Sequence, residues 1–233
     1  MHLFQFLVDG LLVGGVYAAV AVGFALVWGI MNVINLAHGA LIMLGSYVTF
    51  WLFKLYGLDP FASIPISMAA IFIVGWLIQR FLINYVIRAQ IMITFLLTFG
   101  LELLIVDLAL NFFSADNRSV QTSYSGVHYD VAGITIPLVH LLTLGVALLV
   151  TALLAWFLTR TRTGNAIRAT SMDRDAARLV GIKISRIYAL TFALGGAAAG
   201  SAGSLIAVNY SIAPNIGSFY TCLLYTSDAA DDL

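Results

Sequence analysis

The sequence predicts an all-α polytopic transmembrane helical bundle with about six spans, on three observations. Of its 233 residues 61% are hydrophobic and 9% charged, whereas a soluble domain carries about a quarter charged residues. Apolar segments near the ~20 residues that cross a hydrocarbon core follow one another with only short polar breaks. The eleven Lys and Arg are clustered rather than spread. Six lie in the 24 residues Arg160–Lys183, "RTRTGNAIRATSMDRDAARLVGIK", and a seventh follows at Arg186. No series of alternating ten-residue segments points to a membrane β-barrel.

The spans are predicted at Leu7–Ile30, Ala37–Leu55, Phe61–Ile83, Ile91–Phe113, Pro137–Leu158 and Ile187–Val208. The start "MHLFQFLVDG" has no Lys or Arg and runs into a long apolar stretch, so it reads as a retained first helix rather than a cleaved signal. A short loop rich in Lys and Arg stays in the cytoplasm. That places the Arg160–Arg186 loop inside and, by alternation, Arg80 and Arg88 inside too. The N-terminus, Asp59 and the polar loop Ser114–Ile136 then lie outside, with a short hairpin expected near Ser125 and Gly126. Lys54, near an external end, is expected to snorkel to the interface.

Topology explains the charge of the Arg160–Arg186 loop but not its length, since helix-to-helix links are usually much shorter. From Thr170, "TSMDRDAARLVGIK" opens on a capping residue, carries Asp173 and Asp175 early and reaches Gly181, which predicts a short helix outside the membrane. Composition leaves two uses for it. One is an amphipathic anchor on anionic lipid; the other is a docking element for a cytoplasmic partner. Small Ala176 and Ala177 suit close approach, and Arg174 and Arg178 suit acidic partner groups.

Polar residues within the apolar background are the remaining candidates. Asn32, Asn35 and His38 stand between the first two spans in "MNVINLAHGAL". They form either capped helix ends or an unwound segment lining a substrate path, because free backbone groups in lipid must be satisfied by protein or water. His38 has no second ligand at metal spacing, so no metal is expected. Glu102 and Asp107 fall within the fourth span and should face protein or water. Five residues apart, they project roughly 140° from one another and do not form one paired site. Small residues recur at four-residue spacing, as in Gly196/Gly200 and Ala199/Gly203, and predict close helix packing. The chain has no G-x-x-x-x-G-K-[ST] loop for ATP, and nothing in it suggests nucleic-acid readout.

The end of the chain breaks the pattern. "CLLYTSDAADDL" holds the single cysteine, Cys222, and the acids Asp228, Asp231 and Asp232. It resembles a translated sequencing-adapter read-through, so residues 222–233 are expected to be a non-native tail on a truncated membrane domain of residues 1–221.

Two blocks together resemble a known family: "GLLVGGVYAAVAVGFALVWGIMNVINLAHGALIMLGSYV" from Gly10 and "RTRTGNAIRATSMDRDAARLVGIKISRIYALTFALGGAAAGSAG" from Arg160. They look like the LivH-type permease subunits of bacterial ABC importers for branched-chain amino acids. The resemblance implies an inner-membrane subunit paired with a LivM-like permease. Two cytoplasmic ATPases would use ATP and Mg, and a periplasmic binding protein would deliver substrate. The chain itself would bind no cofactor and catalyse no reaction. Within the internal loop, "DAARLVG" resembles the family element that contacts the ATPases: Asp175 stands in place of Glu, Ala176, Ala177 and Gly181 match, and the later Ile-x-Leu-Pro portion is not evident. Arg168, Asp173, Arg174 and Arg178 surround it. C-terminal spans beyond the chain are also implied. A urea or short-amide permease shares much of the "NLAHG" pattern, and an ion-coupled carrier working alone is the rival outside the class.

Overall fold

The computed structural model describes residues 2–86, 91–122, 124, 126–131 and 134–231. Arg88, Ser125 and Asp232, invoked above, lie outside the described residues. Among the described residues, six helices are long and apolar enough to cross a membrane. They are α1 (His2–Met31), α2 (Ala37–Tyr56), α3 (Pro60–Ile78), α5 (Ile91–Phe113), α6 (Leu138–Arg160) and α9 (Ile184–Asn209). The α3 span continues through a π-helical turn, Gln79–Ile83, into the short α4 (Asn84–Val86). Helix is the expected answer in lipid, where every backbone N–H and C=O must be satisfied within its own segment.

Helix ends follow local chemistry. Asp59 caps α3 by accepting from Phe61 N at 2.9 Å, with Pro60 at the first helical position. Gly57, at φ +65°, closes α2 in the left-handed conformation and donates its N–H to Phe53 O, as helix C-caps commonly do. Lys54 sets its ammonium 5.2 Å from the Trp51 ring and 5.8 Å from Phe50, the interfacial aromatic arrangement its position calls for.

The centre of the bundle is α9, which packs on α1, α2 and α3. Its inner face is small. At Gly200 an added Cβ would lie 2.9 Å from Ser67 O, and at Gly203 it would collide with the backbone of Ile42 and Ser46. Hydroxyls bind these crossings: Ser67 Oγ donates to Gly200 O at 3.0 Å, Ser46 Oγ to Gly203 O at 2.9 Å and Thr49 Oγ1 to Ser204 Oγ at 2.8 Å. α6 stands at the periphery beside α1, with Leu148, Leu149, Leu153 and Trp156 exposed.

Two rims are visible in the contacts. On one, the hairpin β1 (His128–Val131) and β2 (Ile134–Pro137) pairs antiparallel from His128 with Pro137 to Val131 with Ile134. The strands begin only at His128, so the hairpin lies beyond Gly126 rather than around it. Thr135 N donates to Gln5 Oε1 at 3.0 Å, Tyr124 OH donates to Asp59 Oδ2 at 2.9 Å, and Arg118 pairs with Ile212 through both backbone bonds. The start of α1, the start of α3 and the loop after α5 thus share this rim, as alternation requires. The opposite rim carries α7 (Arg162–Met172) and α8 (Arg174–Leu179). A last helix, α10 (Ile216–Asp231), runs without a break through Cys222 and packs on α2.

Candidate functional site

Two sites emerge, one inside the bundle and one on the basic rim. The first is the break between α1 and α2. α1 ends at Met31, and Asn32 takes a left-handed backbone at φ +49° with its N–H on Trp28 O. Asn tolerates that conformation better than most non-glycine residues. Residues 32–35 then run without helix before α2 resumes at Ala37.

This segment is not a surface turn. Val33, Asn35 and His38 are buried, and the His38 ring lies edge-on to Phe24 at 6.0 Å. Phe24 is seven residues before the end of α1, or about 10 Å along its axis. The chain therefore leaves α1 at the rim and begins α2 at the depth of Phe24, so the intervening backbone lies within the bundle.

Side chains from two other helices meet the freed backbone there. Thr98 Oγ1 of α5 donates to Ile34 O at 3.0 Å and accepts from Leu36 N at 3.4 Å. Thr221 Oγ1 of α10 reaches Leu36 O at 3.2 Å. Tyr225 OH accepts from Asn35 N at 2.7 Å. One turn along α5 from Thr98, buried Glu102 accepts from Ser218 Oγ at 3.0 Å. Gly39 and Gly217 permit the approach of α10, since a Cβ on either would strike the other helix's backbone.

What remains unsatisfied is informative. No side chain caps α2, so its first-turn N–H groups present partial positive charge toward the break. Among the described residues, the buried side-chain amide of Asn35 and both ring nitrogens of His38 meet no partner at hydrogen-bond distance and angle, although the Val20 backbone lies close enough to His38 to act on it. Buried polar groups without partners are rare and costly. Here they stand beside irregular backbone at the depth of Phe24, which lipid tolerates only where it is buried in protein or faces a polar cavity.

Of the residues singled out in the sequence, Asn35 and His38 meet at this break, and Asn32 is its hinge, exposed at the end. Glu102 joins through Ser218. Asp107 does not: it is exposed on the outer face of α5, where Asn111 Nδ2 donates to its backbone O at 2.9 Å and to its carboxylate at 3.4 Å. Thr98 and Thr221 were missed. Thr98 sits four residues before Glu102, and that polar face on an apolar helix was the available signal.

The second site is the loop between α6 and α9. The expected short helix exists, but its cap is Asp173, not Thr170. Asp173 Oδ1 accepts from Asp175 N at 2.8 Å and Ala176 N at 3.0 Å, whereas Thr170 is buried in α7 and donates to Ala166 O. Asp173 wins because α7 extends to Met172, and its extended backbone ends one helix as it caps the next. Gly181, at φ +85°, makes the exit turn. Ala176 faces outward. Ala177 is buried against the chain itself and presents no surface to a partner.

Arg178 lies 3.6 Å from Asp175 in an exposed ion pair, worth little by itself. Arg168 is exposed, with Nη2 donating to Asn165 Oδ1 at 2.7 Å. Arg174 is exposed as a residue, yet its Nη2 donates to Met31 O at 2.8 Å and its guanidinium lies 5.5 Å from the Tyr188 ring. The loop also displays apolar side chains that the motif reading passed over: Leu179 is 90% exposed, Met172 88% and Val180 76%.

The sequence matches the family described as "Branched-chain amino acid transport system / permease component" over residues 6–227. That match includes the first six residues of the segment expected to be non-native. Among characterised proteins, the high-affinity branched-chain amino acid transport system permease protein BraD of Pseudomonas aeruginosa is 31% identical, over 93% of this chain and 75% of BraD. The LivH permease proteins of Escherichia coli K12 and Salmonella typhimurium are each 28% identical, over the same shares. No solved structure matches at significance. Together with the six apolar helices, these similarities make the protein a multi-pass component of the bacterial inner membrane. The chain belongs to the branched-chain amino acid transport system permease family, of the LivH type.

Proposed function

We propose that this permease subunit of an ABC importer carries branched-chain or closely related amino acids past the Asn32–Leu36 break by ATP-driven alternating access. The observation that carries the reading is the buried, unwound backbone at that break, lined by the unsatisfied side chains of Asn35 and His38. Such groups are tolerated where they face water or a polar solute for part of a transport cycle. The substrate class follows the names of the relatives.

In this reading the chain pairs with a LivM-like permease, and a periplasmic binding protein delivers substrate. Two cytoplasmic ATPases bind ATP and Mg and dock on the α7–α8 loop, while the chain itself holds no cofactor and hydrolyses nothing. Docking rests on the exposed Met172, Leu179 and Val180, flanked by Arg168, Asp175, Ala176 and Arg178. Apolar side chains exposed this fully on a basic rim suit burial by a protein partner. Within residues 222–233, Tyr225 meets the break through Asn35 N; the others have no assigned role. An ion-coupled carrier is not favoured, because Glu102 and Asp107 diverge, one buried on Ser218 and the other exposed.

The test is uptake of radiolabelled leucine into proteoliposomes containing the protein with the LivM-like permease, ATPases and binding protein proposed as its partners. Uptake should require ATP and be competed by isoleucine and valine. Uptake of urea instead would move the substrate assignment. Leu179→Asp and Ala176→Arg should release the ATPases while the permease stays folded; retained assembly and uptake would overturn the docking surface.

A further inference from the structure

We infer that Arg174 is the positioning residue that transmits movement of the docking loop to the transport break, acting as a strut between α8 and the end of α1. The inference rests on the permease reading above and adds a route between its two sites.

Three features define the strut. Arg174 is the first residue of α8, directly after the Asp173 cap, so it moves with the exposed surface of that helix. Its guanidinium crosses 143 residues of sequence to donate to the Met31 carbonyl at 2.8 Å. That carbonyl is one of the last in α1 and has no partner in the helical ladder, because the helix stops there. It stands immediately before Asn32, whose left-handed backbone turns the chain into the break. Displacement of α8 therefore acts on the residue where the hinge begins.

The strut is also braced. The Tyr188 ring of α9 lies 5.5 Å from the guanidinium, in reach of a cation–π contact. Tyr188 is buried on the central helix, so α9 is a fixed wall against which Arg174 bears. Met31 is itself 1% exposed, so its carbonyl moves only with the end of α1. By contrast the ion pair of Arg178, one turn further along α8, is with Asp175 of the same helix, although Arg178 also lines the groove beside Tyr188. Of the two arginines, it is Arg174 that reaches the end of α1. A planar guanidinium can bond a carbonyl and stack on a ring at once, which a lysine ammonium does less well.

The experiment uses the full complex in proteoliposomes, with ATP hydrolysis, leucine uptake and ATPase retention measured on the same preparation. Arg174→Gln should keep the ATPases bound and hydrolysing, yet lower leucine taken up per ATP by about tenfold, within the usual range of coupling between sites. Arg174→Lys should fall between. Tyr188→Phe, which keeps the ring, should retain coupling, and Tyr188→Leu should lose part of it; this pair serves if Arg174→Gln does not fold. Unchanged uptake per ATP in Arg174→Gln, or in Tyr188→Leu if that must be used, would overturn the strut. Loss of ATPase binding in Arg174→Gln would overturn it too, because Arg174 would then be a docking contact. Failure of the unsubstituted complex to import amino acid would instead count against the transporter reading.

Discussion

α9 and α6 both span the membrane, and they invert the relation between apolarity and burial familiar from soluble proteins. α6 has the higher mean hydropathy, 2.5 against 1.4, yet 11% of its most apolar stretch is buried against 89% in α9. Lipid tails are as apolar as leucine, so moving Leu149 from lipid to protein gains little. Close approach, dispersion contacts and hydrogen bonds decide what goes inside. α9 supplies them with Gly196, Gly200 and Gly203 against helix backbones and Ser204 on Thr49. α6 supplies none of them in quantity and stays outside. In this bundle the centre is where side chains are smallest.

Gly203 makes the tightest approach on α9. Its neighbours are the backbone of Ile42 and Ser46, which cannot swing aside. Gly203→Leu should cost about 3 kcal/mol or more by overpacking, seen as loss of the monodisperse peak and a large drop in melting temperature in detergent. A stable Gly203→Leu would mean that close approach does not hold α9 in place. The counterpart is Leu149, midway along α6 and 57% exposed. Leu149→Arg should raise the cost of membrane insertion by about 3 kcal/mol, read in a translocation assay. Leu149→Ala should change stability by less than about 0.5 kcal/mol. A loss of core size for Leu149→Ala would show that α6 is covered by protein rather than lipid.

Smaller effects sharpen the same contrast. Ser204→Ala removes the 2.8 Å bond from Thr49 inside the bundle and should cost about 0.6 kcal/mol, the average for such bonds in membrane, measured by thermal unfolding of purified protein. Outside the membrane the rules of water return. Burial first, and then the Asp59 carboxylate that accepts its hydroxyl, push the Tyr124 pKa from 10.0 up to about 12. A raised folded-state value means that the contact stabilises the rim fully below about pH 10, where the free phenol is protonated, and that this is lost as pH climbs toward 12. Tyr124→Phe should remove that alkaline slope in hydrogen exchange of the external loop, with little effect at pH 7.

The spans were readable to within a few residues. The stretches Pro137–Leu158 and Ile187–Val208 became Leu138–Arg160 and Ile184–Asn209, because a long apolar run in lipid has no satisfied alternative to helix. The rim helix ending at Gly181 was readable from capping chemistry. Its start was misread: Thr170 and Asp173 are both capping residues, and the Thr161 cap that opens Arg162–Met172 as a helix of its own went unread. The inward turn of Ala177 and the reach of Arg174 to Met31 were hidden for another reason. Both depend on tertiary neighbours of α8: it packs on α7 and α9, and the Met31 carbonyl lies 143 positions from Arg174.

By itself the sequence determined how often the chain crosses the membrane, which rim is basic and where the polar exceptions fall. Those properties are local, set by apolar length, charge placement and the hydrogen-bonding demand of the backbone. Only the tertiary structure decided that α9 is central, that the backbone beyond exposed Asn32 runs inside the bundle to His38 and that Glu102 meets Ser218 while Asp107 faces outward. Helices that are apolar on every side carry no stripe to name their neighbours, so their order is settled by which small residues and hydroxyls meet across the bundle.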